Sequence, residues 1–112
     1  DAVRSRGLGD VYKRQNITVN SIADSLSAPL HMQYSFDVAK EVIDEMVTVS
    51  DDEMKKFMVF CYKKFKLFLE PACVAGLAAL KYKINNNLIG KNTMVIVCGS
   101  NIDKKTWSDL TN

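Results

Sequence analysis

Thr93-Met94-Val95-Ile96-Val97 runs without a break into Cys98-Gly99-Ser100-Asn101. Five residues rich in β-branched and aliphatic side chains read as a strand buried on both faces, the pattern of a parallel sheet. A thiol, a glycine and two short polar side chains follow at once. In open α/β sheets, ligands bind just outside the carboxyl ends of the strands. The stretch therefore predicts an α/β fold, with residues 98–101 at the rim of a site.

The neighbouring segments alternate in kind. Asn85 to Gly90 reads as a loop leading through Lys91 into the strand. Before it, Glu70-Pro71 opens a helix, since proline is pre-organised for a first helical turn and loses no hydrogen bond there. Ala72 to Leu80 is apolar nearly all round, which predicts a buried helix. Its alanines and Gly76 allow close approach to neighbours. Further upstream, Ser50-Asp51-Asp52-Glu53 has the spacing of a capping box. The helix it starts carries Met54, Phe57, Met58, Cys61 and Phe65 at three- and four-residue steps, a core stripe, with lysines mostly outside it. The acids of the first turn favour the helix dipole. Met46-Val47-Thr48-Val49 alternates as a short strand. Ser35 caps a helix from Phe36 to about Asp44, with Phe36, Ala39, Val42 and Ile43 on one face and Asp37, Glu41, Asp44 and Glu45 on a solvated one. Asp103 to Asn112 reads as a polar tail with a helical turn around Trp107, an apolar plug.

Composition excludes several function classes. The 112 residues carry a formal charge of +2, but all three arginines (Arg4, Arg6, Arg14) lie in the first fourteen residues. From Asn16 onward, eleven lysines balance eleven acidic residues. A neutral body without arginine is a poor nucleic-acid binder, because arginine forks dominate phosphate and base contacts. No apolar run reaches the roughly 18–20 residues that span a bilayer. Cys61, Cys73 and Cys98 are odd in number and have no CxxC spacing, which speaks for a reduced, cytoplasmic setting and against a disulfide framework or zinc site. His31 has no Cys or His neighbour with which to hold a metal.

Residues 1–15 differ from the rest. They favour arginine and glycine and show no helical or strand period, whereas the body (residues 16–112) favours lysine and asparagine, as in Asn85-Asn86-Asn87. The segment resembles translated sequencing-adapter sequence and is expected to be non-native and disordered; the alternative is a basic arm for an anionic partner. In the body, two strands bury too little for the apolar faces around them. Residues 16–112 are therefore expected to be the carboxyl-terminal part of a larger domain.

Four segments, taken in order, carry a family resemblance. They are Ser21-Ile22-Ala23-Asp24-Ser25-Leu26, then Val47-Thr48-Val49-Ser50-Asp51-Asp52-Glu53-Met54, then Leu69-Glu70-Pro71-Ala72, then Val97-Cys98-Gly99-Ser100-Asn101-Ile102-Asp103. Order and spacing resemble the carboxyl-terminal part of threonine/serine dehydratases and serine racemases, the fold-type II pyridoxal-phosphate enzymes. Their pattern is roughly "T-I-A-D-G-L", "V-x-V-x-D-x-E-I", "x-E-P-A-G-A" and "S/C-G-G-N-x-D". The resemblance covers about residues 20 to 107.

What the resemblance implies is a piece of the larger, three-layer α/β cofactor domain, with pyridoxal 5'-phosphate as cofactor. Cys98, followed by Gly99, falls where the family has a serine or cysteine facing the pyridine nitrogen. A neutral thiol leaves that nitrogen largely unprotonated, which suits elimination. Ser25 falls where the family has a glycine whose backbone approaches the ring, a departure that turns a side chain elsewhere. Glu70 matches the acid of the "E-P-A" motif near the cofactor, as an orienter of its surroundings. Ser100 replaces the turn's second glycine. No lysine stands in a segment resembling the Schiff-base motif, and no glycine-rich phosphate loop is present; both are expected upstream, so no catalytic residue is assigned. The implied activity of the parent is a lyase converting L-threonine or L-serine to a 2-oxo acid and ammonia, in a homodimer, with this chain inactive alone. The alternatives are a serine racemase and, in another class, a non-catalytic α/β interaction module.

Overall fold

The computed structural model describes residues 20–26, 33–84 and 90–112. Within them a 3-10 turn at Asp24–Leu26 is followed by helices α1 (Gln33–Val42), α2 (Asp51–Phe65), α3 (Pro71–Tyr82) and α4 (Lys104–Thr111). The packed unit is α2 against α3, with α4 on α2 and the 3-10 turn on α3.

Helix α2 starts as its sequence requires. Ser50 is the N-cap; its side chain accepts the Glu53 N–H at 3.2 Å, and Glu53 Oε2 accepts the Ser50 N–H at 2.7 Å. Two orphan donors of the first turn are thereby satisfied reciprocally. The helix ends at Lys66, which is left-handed (φ 59°) and donates its N–H to the Tyr62 carbonyl at 3.0 Å. Met54, Met58 and Cys61 are buried from the predicted stripe, whereas Phe65 is 60% exposed. Helix α3 carries Pro71 in its first turn and buries Pro71, Cys73, Val74 and Ala78. Ala72, Ala75 and Leu77 are half-buried against the same core. Gly76 is exposed to solvent yet lies against Val95, whose Cγ1 would sit 3.1 Å from a Cβ at that position.

The tail is more ordered than its polarity suggests. Asp103 caps α4, its carboxylate accepting the Thr106 N–H at 2.9 Å and the Thr106 hydroxyl at 2.6 Å. That start aims Trp107 into the core beside Tyr62 and Phe68, with each ring pair 4.6–5.1 Å apart. Trp107 is buried, and its Nε1 has no hydrogen-bond partner among the described residues. The core cluster joins Ala23, Met54, Met58, Cys61, Leu69, Cys73, Val74 and Trp107.

Three expectations require correction. Among the described residues there is no strand: neither 46–49 nor 93–97 pairs in a ladder. Nor is 93–97 buried on both faces. Val95 is half-covered by α3, but Met94 is 90% and Ile96 75% exposed. A strand exists by pairing its N–H and C=O groups with a neighbour, and apolar character alone does not supply one. Helix α1 begins at Gln33, earlier than Ser35, and ends at Val42, short of Asp44. A side-chain bond from Gln33 Nε2 to Asp37 Oδ1 at 2.9 Å ties its first turn. It buries no residue; Phe36, Ala39 and Ile43 are half-covered and Val42 is exposed. The 1–15 segment, His31 and the loop residues 85–89 lie outside the described residues.

Candidate functional site

The first turn of α3 and the 98–101 turn form one unit. Glu70 is the N-cap of α3 by backbone conformation (φ −73°, ψ 159°), but its side chain does not cap its own helix. The carboxylate instead accepts the Asn101 N–H at 3.1 Å, while the Glu70 N–H donates to the Gly99 carbonyl at 3.4 Å. One residue thus holds the turn at two points. Gly99 lies directly on the carboxylate. A Cβ at this position would fall on Glu70 Oε1 and within 2.8 Å of its Cδ. Close approach is what favours glycine here, since any Cβ would force the Glu70 carboxylate to shift, whereas positive φ is found at Gly90.

Cys98 presents its thiol to solvent, whereas Cys73, three residues after Glu70 and on the same helical face, is buried beneath the turn. Burial pushes the Cys73 thiol up, and the nearby backbone N–H groups of Gly99 and Cys98 oppose that shift. Burial also pushes Cys61 up, with Cys73 close enough to add to the effect. The turn borders two open clefts. One, of about 620 Å³, is lined by Lys66, Leu67, Phe68, Val97, Gly99 and Ser100. The other, of about 340 Å³, has Asp24, Glu70, Asn101 and Asp103 around its polar rim. Among the described residues, no group of three or more His, Cys, Asp or Glu side chains is placed to hold a metal ion, and no helix is long and apolar enough to cross a membrane.

The structure brings Gly99, next to Cys98, onto Glu70, while Ser25 stands on the 3-10 turn that packs on α3. Ser25 is exposed on the 3-10 turn, its N–H bonded to Asp24 Oδ1 at 2.8 Å, and it lines neither cleft. Sequence reasoning missed two residues that position this region. Asp51 accepts the Ser21 hydroxyl at 2.6 Å and the Ile22 N–H at 3.2 Å, so it fastens the segment before the 3-10 turn onto the start of α2. Cys73 supports the turn from below; its spacing from Glu70 was the available signal. Two capping carboxylates are held below their ordinary range. For Glu53 the main cause is the Ser50 N–H, helped by Lys83, which is 3.3 Å away; for Asp103 it is the Thr106 hydroxyl.

Comparison with known proteins gives a consistent picture. Residues 2–99, a span that includes the arginine-rich head, match the family described as "Pyridoxal-phosphate dependent enzyme". The chain is 41% identical over 91 residues to a phenylserine dehydratase of Ralstonia pickettii, covering 81% of this chain and 28% of that protein. It is 33% identical over 93 residues to an L-threo-3-hydroxyaspartate ammonia-lyase of Saccharomyces cerevisiae, covering 83% and 28%. It is 30% identical over 113 residues to a serine racemase of Dictyostelium discoideum, covering 100% and 35%. The chain therefore spans about a third or less of the length of these relatives.

Proposed function

The chain belongs to the pyridoxal-phosphate-dependent enzyme family, and on that premise we propose that it is the carboxyl-terminal part of an ammonia-lyase domain of α/β architecture acting on 3-hydroxy-2-amino acids. L-threonine and L-serine are the first substrates to test. The proposal of that substrate class rests on a shared feature of the relatives: phenylserine, 3-hydroxyaspartate and serine all carry a hydroxyl on the carbon next to the amino-bearing one. The products would be a 2-oxo acid and ammonia.

The observation that carries the site is the contact between Gly99 and Glu70. A backbone without a side chain, fixed from behind by a carboxylate and ending in an exposed thiol, fits the flat ring of the cofactor. Cys98 and Gly99 would hold that ring at its nitrogen side, and Glu70 would keep the turn in place without touching it. When bound, pyridoxal phosphate supplies the electron sink for breaking bonds at the amino acid's α-carbon. Cys98 brings no carboxylate to the ring nitrogen, so it would leave that nitrogen uncharged. An aspartate there would keep that nitrogen protonated. Ser25, on an exposed turn, is proposed only as a more distant wall.

No residue of this chain is proposed as the anchoring lysine, so the 112-residue chain alone is expected to show no dehydratase turnover. Measurable turnover by the purified chain would sink that statement. The main test uses the longer polypeptide that also carries the anchoring lysine and phosphate loop, incubated with L-threonine, L-serine and their 3-substituted relatives. Release of ammonia and 2-oxo acid is expected, with Cys98→Ser retaining turnover and Cys98→Asp losing most of it. Absence of 2-oxo acid from every 3-hydroxy-2-amino acid would refute the lyase reading. Formation of D-serine in its place would support the racemase, a reading favoured by the match of that relative over the whole chain.

A further inference from the structure

We propose that Cys98 and Cys73 form a peroxide-responsive thiol pair, in which the exposed Cys98 is oxidised first and the buried Cys73 resolves it to a disulfide. The pair is set by packing. Glu70 and Cys73 lie one helical turn apart on α3. Glu70 holds Gly99 and Asn101 through its N–H and its carboxylate. Gly99, which follows Cys98, and Asn101 beyond it are therefore fixed over the α3 turn that carries Cys73, whose sulfur lies near the amides of Cys98 and Gly99. One thiol of the pair faces solvent and the other is 4% exposed. Reaction is expected where the thiol is accessible, with the inert partner in reserve.

The chemistry balances with one peroxide. The Cys98 thiolate attacks a peroxide oxygen and the O–O bond breaks. The departing hydroxide takes up the proton lost by the thiol, leaving a sulfenic acid and one water. The Cys73 sulfur then attacks the Cys98 sulfur. An S–S bond forms, the S–O bond breaks, and the hydroxide leaves with the Cys73 proton as a second water. Two thiols are oxidised and one peroxide is reduced. If Cys98 faces the cofactor ring, as proposed above, the disulfide draws it down towards α3 and removes it from the ring. That consequence rests on the functional reading; the thiol pair itself does not.

The test is peptide mapping of the 112-residue chain after stoichiometric hydrogen peroxide, at high dilution and without reductant. In the native chain the expected product is a Cys73–Cys98 linked peptide, absent from Cys98→Ser and retained in Cys61→Ser. The unmodified chain also supplies a control that no folding defect can confound. In denaturant the three possible pairs should mix, with the Cys61–Cys73 pair, nearest in sequence, gaining. A native product dominated by Cys61–Cys73, or by Cys98 sulfinic acid without any link, would overturn the proposal. In the longer polypeptide, loading with pyridoxal phosphate should slow the cross-link. A selective cross-link unaffected by loading would keep the thiol pair and remove the reading of Cys98 as the ring's neighbour.

Discussion

Met58 and Met94 are the same side chain in two environments: the first is 0% exposed, the second 90%. Met58 lies on a stripe of α2 that meets α3, and both helices make their backbone bonds within themselves. Met94 lies in an equally apolar segment that touches α3 through Val95, at Gly76. The difference shows where each kind of information resides. A helix closes its hydrogen bonds locally and needs a neighbour only to cover one face. A strand needs a neighbour even to exist as a strand.

The largest expected effect comes from breaking the covered side. Met58→Ala removes a fully buried side chain from the α2–α3 contact and should cost about 2–5 kcal/mol, read as a fall in the urea midpoint with unchanged slope. A midpoint shift no larger than that of Met94→Ala would erase the contrast between the two regions.

Gly99→Ala comes next, because it sharpens the contrast at the point where the two regions meet. The new methyl collides with the Glu70 carboxylate, and overpacking of this kind costs about 1–3 kcal/mol. The collision predicts a specific rescue: in a Glu70→Ala background, the same Gly99→Ala change should be nearly neutral. A double-mutant cycle reads the coupling directly, and an additive cycle would mean that the carboxylate does not fix the turn.

Ser50→Ala tests the start of α2 and should cost about 1 kcal/mol, the usual worth of an N-cap. It also carries a pH signature. The Glu53 carboxylate is held below its ordinary range, chiefly by the Ser50 N–H. Its contribution is therefore complete above the unfolded value of about 4.3 and is lost as the pH falls through the lower folded value. Denaturation midpoints followed from pH 7 downward should stay flat and then fall below roughly pH 4. A midpoint that rose on acidification would contradict the capping geometry.

The helices, the Ser50 capping box and the Glu70-Pro71 start were legible because each is written in a few consecutive residues. The polar turn at Cys98–Gly99 was read as a candidate site for the same reason. Other features were hidden in contacts between distant residues. Nothing near Asp51 in sequence announces that it holds Ser21 and Ile22, thirty positions away. The helical turn around Trp107 and its role as an apolar plug were legible, but nothing near Asp103 announces that Trp107 would sit between Tyr62 and Phe68. The 93–97 segment erred in the opposite sense: its residues speak clearly for a strand, but the pairing partner that would make it one is not found among the described residues.

That last point gives the smallest and most diagnostic prediction. Met94→Lys and Ile96→Lys place charge on side chains that touch little, so each should change the stability of this chain by no more than about 0.5 kcal/mol. Their effect should appear in association. An apolar, unpaired segment is a template for edge-to-edge pairing, and lysine is a common way of blocking one. Sedimentation at rising concentration should show the unmodified chain self-associating and the double variant remaining monomeric. In the longer polypeptide the order of effects should invert. If the outer face of 93–97 packs there inside a sheet covered on both sides, the same two lysines would be buried without partners and would destabilise it by several kcal/mol. Equal tolerance of the substitutions in both settings would mean that the segment is not a sheet strand at all.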